Sequence, residues 1–188
     1  MKTLHTEAKL LVKRLIDLEK CGKYEEALFE LKNIWEDTAE FPKTDNLDSL
    51  TAAEIILRCG SLIGFLGQIK QIPNAQETSK NLLTEAYERF LDIANVEKIA
   101  ECANYSALAY WRTGALVEAE IWIEEALSHP LPDKNRTRLY SHIIKSMILL
   151  SSKKYEEICL NFIDLKAVFI NFADDFLKGS FYNNYGLA

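Results

Sequence analysis

The sequence predicts an all-α fold built of αα-hairpins, and three observations predict it. Glycine and proline are scarce, seven and four in 188 residues, about half of their usual combined share of roughly 12%. So few turn formers do not punctuate a many-stranded β fold. Apolar residues recur three and four positions apart along almost the whole chain, the period of a helix with one buried face. The interruptions are short, and helices joined by a few residues run antiparallel. With 48% hydrophobic and 27% charged residues, the chain is globular and long enough for a sizeable core.

The first stripe, Leu10, Leu11, Leu15, Ile16 and Leu18, predicts a helix from about Thr6 to Glu19, stopped by Gly22. Tyr24, Ala27, Leu28, Leu31, Ile34 and Trp35 predict its partner and close a hairpin over 6–38. Pro42 and Asn46 make 41–48 a loop. Thr51-Ala52-Ala53-Glu54 has capping-box spacing, in which the Thr51 hydroxyl accepts from the third helical amide and Glu54 reaches back. A helix runs from there to about Gly67. Asn74 and Glu77 signal the next start, ahead of Leu82, Leu83, Ala86, Tyr87 and Phe90, giving a hairpin over 49–92.

Ile99, Ala103, Ala107 and Tyr110 form the next stripe, interrupted at Gly114. Leu116, Ala119, Ile123, Ala126 and Leu127 carry its partner to Pro130 and Pro132, which remove donors and disfavour α at the residue before each. This third hairpin covers 97–129. Leu139 to Leu150 and Tyr155 to about Phe172 predict a fourth over 133–172, turning near Ser151-Ser152-Lys153. Residues 175–188 begin a ninth helix, the start of a further unit. Tyr182, Tyr185 and Leu187 would lie apolar on that unfinished helix, so the chain is expected to be truncated there, or that end to form a homodimer contact.

Composition narrows the function. The 22 basic and 28 acidic residues give a formal charge of −6, which argues against nucleic acid as a partner, since neutralising phosphates needs a basic surface. The longest uncharged apolar-rich stretch, Cys59 to Ile69, is too short to span a bilayer. The start, Met1 to Glu7, has no apolar signal core. A cytoplasmic location without a membrane partner is therefore expected. Cys21, Cys59, Cys102 and Cys159 include no C-x-x-C pair and read as reduced, mostly buried small hydrophobes.

Chemistry-bearing constellations are sparse. His5, His129 and His142 stand far apart, with no acid or cysteine at metal-ligand spacing. His129, before Pro130, reads as a helix C-terminal residue favoured by the dipole. Gly60, Gly64 and Gly67 lie inside a helical pattern with no strand before them, so they read as a close helix–helix approach rather than a phosphate loop. Neighbouring acids such as Glu25-Glu26 and Glu124-Glu125 point in different directions on a helix and form no acid/base dyad. No catalytic residue, metal or cofactor is predicted, and the chain reads as a non-enzyme.

The hairpins repeat. The third reads Ala103-x2-Ser106-Ala107-x2-Tyr110, then Gly114, Leu116 and Ala119-x3-Ile123-x2-Ala126, with prolines at 130 and 132. The first contributes Gly22-Lys23-Tyr24-Glu25-Glu26-Ala27, and the end Tyr182-x2-Tyr185-Gly186. This pattern resembles the tetratricopeptide repeat family over nearly the whole chain, with Ala103 where the first aromatic would stand and Ala107 at the usual glycine. Taking Leu15, Gly60, Ala107, Ser146 and Gly186 as equivalent, the intervals are 45, 47, 39 and 40 residues, longer than the family's usual 34 or so. Other αα-hairpin arrays share these features.

The resemblance implies one solenoid domain over 1–188, a right-handed superhelix of about nine helices. It also implies a non-catalytic scaffold that binds a partner segment in a concave groove lined by the first helix of each hairpin. By position in the family pattern, the partner-binding residues are Arg58, Asn104, Leu108, Trp111, Arg112, Tyr140 and Asn183, with Phe65 and Met147 on the same faces. Arg offers a fork for carboxylates, Asn pairs with peptide backbone and Trp anchors. Each has another reading. Trp111 equally suits a packed floor position, Arg112 could cap carbonyls, and Arg58 could pair with Glu54 one turn back. Val12 and Leu57 stand where chaperone-binding members carry clamp residues, which argues against that partner. The alternative function is a ligand-sensing regulator that binds a small peptide or metabolite. The pattern places Ala119 against a neighbouring helix, so Ala119→Leu is expected to destabilise the fold by about 1–3 kcal/mol, read as a lowered thermal midpoint.

Overall fold

A computed structural model describes residues 2–188, with side chains from Thr6 onward. Among the described residues there are ten helices and no strand: α1 (Lys2–Lys20), α2 (Tyr24–Leu31), α3 (Ser49–Lys70), α4 (Ala75–Ile93), α5 (Val96–Arg112), α6 (Leu116–Ser128), α7 (Arg136–Ser151), α8 (Tyr155–Ile163), α9 (Lys166–Asn171) and α10 (Asp175–Gly186). The chain divides into two compact units, one ending at Asn95 and one beginning at Val96. In the first unit α1 packs on α2 and α3, α2 on α3, and α3 most extensively on α4. In the second, α5 packs on α6 and α7, α6 on α7, α7 on α8 and α10, and α10 on α8 and α9.

Four of the turns are built alike, one of them at Ala94 after α4, where Asn95 N–H donates to Phe90 O at 3.1 Å and Ala94 N–H to Leu91 O at 3.0 Å. Gly22, Gly114 and Lys153 adopt φ of +69°, +78° and +57°, the left-handed region that ends a helix and frees its last carbonyls for backbone donors. After α1, Lys23 N–H donates to Leu18 O at 2.9 Å and Gly22 N–H to Glu19 O at 3.0 Å. After α5, Ala115 N–H donates to Tyr110 O and Gly114 N–H to Trp111 O, both at 3.0 Å. After α7, Lys154 N–H donates to Leu149 O at 2.9 Å and Lys153 N–H to Leu150 O at 3.1 Å. The same turn thus recurs with lysine or alanine in place of glycine.

Helix α3 is the core of the first unit and is buried around most of its circumference. By length and composition Ser49–Lys70 could cross a membrane, beyond the shorter stretch that the uncharged residues mark, and 83% of its most apolar window is buried within the protein. A helix that is apolar all round is accommodated by covering it on several sides. The glycines make this possible. A Cβ on Gly67 would lie 2.1 Å from the Ala75 Cβ, and one on Gly60 2.9 Å from Leu83 Cγ. At that approach, α4 side chains reach α3 carbonyls: Ser79 Oγ donates to Gly60 O and Gln76 Nε2 to Gly64 O, each at 2.8 Å.

Several boundaries differ from expectation. Asp48, not Thr51, caps α3: its Oδ1 accepts from Thr51 N–H at 3.0 Å, and Thr51 Oγ1 donates to the same carboxylate. The helix continues past Gly67 to Lys70. Asn74 does precede α4, but at φ +59° its side chain makes no capping hydrogen bond. Helix α2 ends at Leu31 instead of carrying Ile34 and Trp35. Lys43 N–H claims Ile34 O at 2.8 Å, and the buried Trp35 ring gives its Nε1–H to Glu40 O at 2.8 Å. Leu10 and Tyr155, read as stripe residues, are exposed. Cys59 and Cys102 are buried, while Cys21, in the turn after α1, and Cys159, beside buried Ile158 on α8, are exposed.

The count exceeds nine because the stretch from Tyr155 to Phe172 breaks at Asp164-Leu165 into α8 and α9. In a continuous helix Phe162 and Phe169 would sit about 10.5 Å apart along the axis. The break brings their rings edge-to-face at 5.6 Å and lets Phe169 stack on Phe181 at 4.9 Å. All three are fully buried, in a cluster with Leu139, Ile143, Leu149, Ile158 and Leu177.

The repeated turn carries a prediction at Lys153, the lysine that stands at positive φ. A left-handed conformation costs an L-residue roughly 1–2 kcal/mol, offset in part by the entropy a glycine loses on folding. Lys153→Gly is expected to raise unfolding free energy by roughly 0.5–1 kcal/mol in urea titration.

Candidate partner-binding face

The residues matched to a groove separate into buried and accessible groups. Arg58, Asn104 and Leu108 are 2%, 0% and 3% exposed, so their side chains present almost nothing to a partner. Arg58 Nη1 donates to Glu19 Oε2 at 2.7 Å, and Ser61 Oγ donates to Glu19 Oε1 at 2.9 Å. This largely buried pair ties α1 to α3, and removing one member of such a pair typically costs about 3–5 kcal/mol. Burial pushes the adjacent Cys59 thiol well up, the Glu19 carboxylate adds to it, and Arg58 acts against it. Cys59 is also fully buried, the setting of a structural cysteine. Asn104 Nδ2 donates to Thr137 O at 3.1 Å, tying α5 to α7, while its Oδ1 is buried without a hydrogen-bond partner. Phe65 stacks on Tyr24 at 4.9 Å between α3 and α2.

Trp111, Arg112, Tyr140 and Met147 are half-buried and Asn183 is exposed. Trp111 Nε1–H donates to Ser151 Oγ at 2.8 Å and so joins the ends of α5 and α7. Tyr140 lies in a row of three rings from three helices. Tyr105 of α5 is 6.3 Å from it, centroid to centroid, and Phe176 of α10 is 6.1 Å away on the other side. Seven residues beyond each ring stand Arg112, Met147 and Asn183. Seven residues are close to two full turns and return to the same side of a helix. The second unit therefore has a face with aromatic rings at one end and Arg112, Met147 and Asn183 about 10.5 Å further along the helices.

Two helix starts hold this face in register by the same device. Asn135 caps α7 by accepting from Arg138 N–H, while its Nδ2 donates to Glu97 of α5 at 2.9 Å. Asp174 caps α10 by accepting from Leu177 N–H, while its Oδ2 accepts from Arg136 of α7 at 2.8 Å. Both cross-links span 38 residues. Burial works to raise the Asp174 carboxyl, yet the Leu177 amide and the Arg136 guanidinium outweigh it and hold the group below its usual range. Asn184, next to Asn183, turns inward and donates to Ser146 Oγ at 2.7 Å.

Sequence reasoning missed Tyr105 and Phe176 in this face. The sequence signal is weak: Tyr105, Tyr140 and Phe176 recur at 35 and 36 residues, short of the 39 and 40 that separate Ala107, Ser146 and Gly186, so the repeat does not single them out. Arg58 belongs to the other unit and is not brought to these residues within either unit.

The histidines have structural surroundings. His129 follows the last residue of α6, its Nε2 3.3 Å from Glu125. The side chain of His5 lies outside those described. Among the described residues, no three His, Cys, Asp or Glu side chains gather as a metal-holding group. Comparison with known proteins gives no match: no family model, no curated protein and no solved structure matches the chain.

His142 is held in a two-way contact between α7 and α8. Asn161 Nδ2 donates to His142 O at 3.0 Å, which turns Asn161 Oδ1 to the imidazole, 2.8 Å from Nδ1. Nδ1 therefore carries the hydrogen. Burial is the largest influence and lowers this imidazole below 6.5; the Asn161 hydrogen bond opposes it, and Arg138 and Lys145 reinforce it. A histidine that resists protonation when folded and accepts it when unfolded leaves stability intact above pH 6.5 and erodes it as pH falls toward the folded value. Urea midpoints measured through that range should fall more steeply for the natural chain than for His142→Gln.

Proposed function

We propose that the chain is a non-catalytic interaction module: a tetratricopeptide-like array of helical hairpins that binds an extended segment of a partner protein across its first helices. Three features support the reading. Within each unit a hairpin's helices contact each other and also the first helix of the next hairpin, the arrangement that repeat solenoids propagate. The turn within the hairpin recurs with one hydrogen-bond pattern. The third feature, the aromatic row, carries the functional reading.

An extended peptide rises about 3.3 Å per residue, so the side chains on one of its faces repeat every 6.6 Å or so. The rings of Tyr105, Tyr140 and Phe176 are spaced at 6.3 and 6.1 Å. Alternate apolar side chains of a segment crossing α5, α7 and α10 would each meet a ring. Arg112 supplies a fork for a carboxylate and Asn183 an amide for peptide groups, two turns along the helices. Trp111 is already committed to Ser151 and acts as the wall of this face.

The test is selection of displayed random peptides on the full chain, followed by titration of the winners against single variants. Phe176→Ser is expected to weaken them by more than about tenfold, as loss of an aromatic anchor does. Phe29→Ser, more exposed than Phe176 (73% against 58%) and on α2 of the other unit, should leave them unchanged. Winners that bind Phe176→Ser as tightly as the natural chain would remove the aromatic row as the site.

A further inference from the structure

The second unit carries another surface, on the second helices of its hairpins. Helices α6 and α8 flank a groove floored by α7, with a volume of about 620 Å³. Val117 and Ile121, one turn apart on α6, are 69% and 64% exposed along its wall. Ile148 and Leu149 of α7 lie at its floor. Val117 and Ile121 are the exposed apolar side chains of this groove, and Ile148 and Leu149 beneath them are buried.

The charges around these side chains select the sign of the occupant. Four carboxylates, from Glu120, Glu124, Glu125 and Glu157, line the groove against two ammonium groups, from Lys145 and Lys154. Both lysines are held by α6: Lys145 by Glu124 at 2.6 Å and Lys154 by Glu120 at 2.8 Å. The lining is therefore net negative by two charges, and its cations are already neutralised. The smaller groove of the first unit, about 330 Å³, offers a comparison. Glu25 and Glu36 there balance Lys32 and Lys70, so that groove favours neither sign.

We propose that the groove between α6 and α8 docks a basic amphipathic helix of a partner protein. The Val117–Ile121 step has the one-turn spacing of the apolar stripe on an incoming helix. Lysines or arginines flanking that stripe would meet Glu125 and Glu157, the carboxylates in excess of the two lysine pairs. An acidic helix would meet the same carboxylates and be repelled. These contacts lie at the protein surface within a Debye length of solvent ions, so binding weakens as salt rises.

The probes are a synthetic leucine–lysine helix with one apolar stripe, its leucine–glutamate counterpart, and a scrambled leucine–lysine peptide of the same composition. Binding to the full chain is read by fluorescence anisotropy at low and high salt, and the site by isoleucine methyl NMR. The leucine–lysine helix is expected to bind, to shift the methyls of Ile121, Ile123 and Ile148, and to weaken by about tenfold in Ile121→Ser. Because Ile121 is mostly exposed, that variant keeps the fold, verified by circular dichroism. Glu157→Gln is expected to weaken binding and flatten its salt dependence. Three results would overturn the proposal. The acidic or scrambled peptide could bind as well as the basic helix, or the methyl shifts could fall at Ile163 and Ile170. Sedimentation could also show self-association abolished by Ile121→Ser, which would make a second copy of the chain the occupant.

Discussion

The second unit depends on how a helix can be stopped and reversed within three residues. One residue at positive φ takes the place of the next helical turn, and the two amides around it satisfy carbonyls that the helix has left open. The reversal leaves two helices side by side, and their apolar stripes then have only each other and the next hairpin to cover them. Everything downstream follows from that covering: α7 lies against α5, α6, α8 and α10, and the side chains it does not bury define the outward faces. The first unit meets the same demand between α3 and α4 by another route. Gln71 and Asn74 take positive φ in the connection, and glycines at the contact let the backbones approach until side chains of α4 bond to carbonyls of α3.

Much of this was legible in the residues. Gly22 and Gly114 announce their turns because glycine has no Cβ to oppose a left-handed backbone. Lys153 announces nothing; its turn is visible only as a gap between stripes. The break between α8 and α9 was hidden for a different reason. Ile158, Phe162, Leu165, Phe169 and Phe172 keep helical spacing straight through it, and the ring contacts of Phe169 with Phe162 and Phe181 that accompany the break involve a helix distant in sequence. Thr51 has capping-box spacing to Glu54, yet Asp48 caps the helix and Thr51 lies buried in its first turn.

The candidate face was legible in part, because side-chain chemistry shows in a sequence and exposure does not. Arg58 and Asn104 are polar residues on mainly apolar helices, the signature of either a ligand contact or a buried cross-link. The fold uses both as cross-links, to Glu19 and to the Thr137 carbonyl. Tyr140 emerged from its position, but Tyr105 and Phe176 became recognisable only once three helices were set side by side. The groove on the other side of α7 was less visible still, since Val117 and Ile121 have the spacing of core residues and are distinguished by having no neighbour to cover them.

The paired duties of Asn135 and Asp174 couple each helix start to a neighbouring helix. Each residue both initiates its own helix and is oriented by a side chain from the first helix of the preceding hairpin. Each of these bonds is shared by two helices: the first turn of α7 is tied to α5 and the first turn of α10 to α7, so a displacement of either helix of a pair is felt at the other.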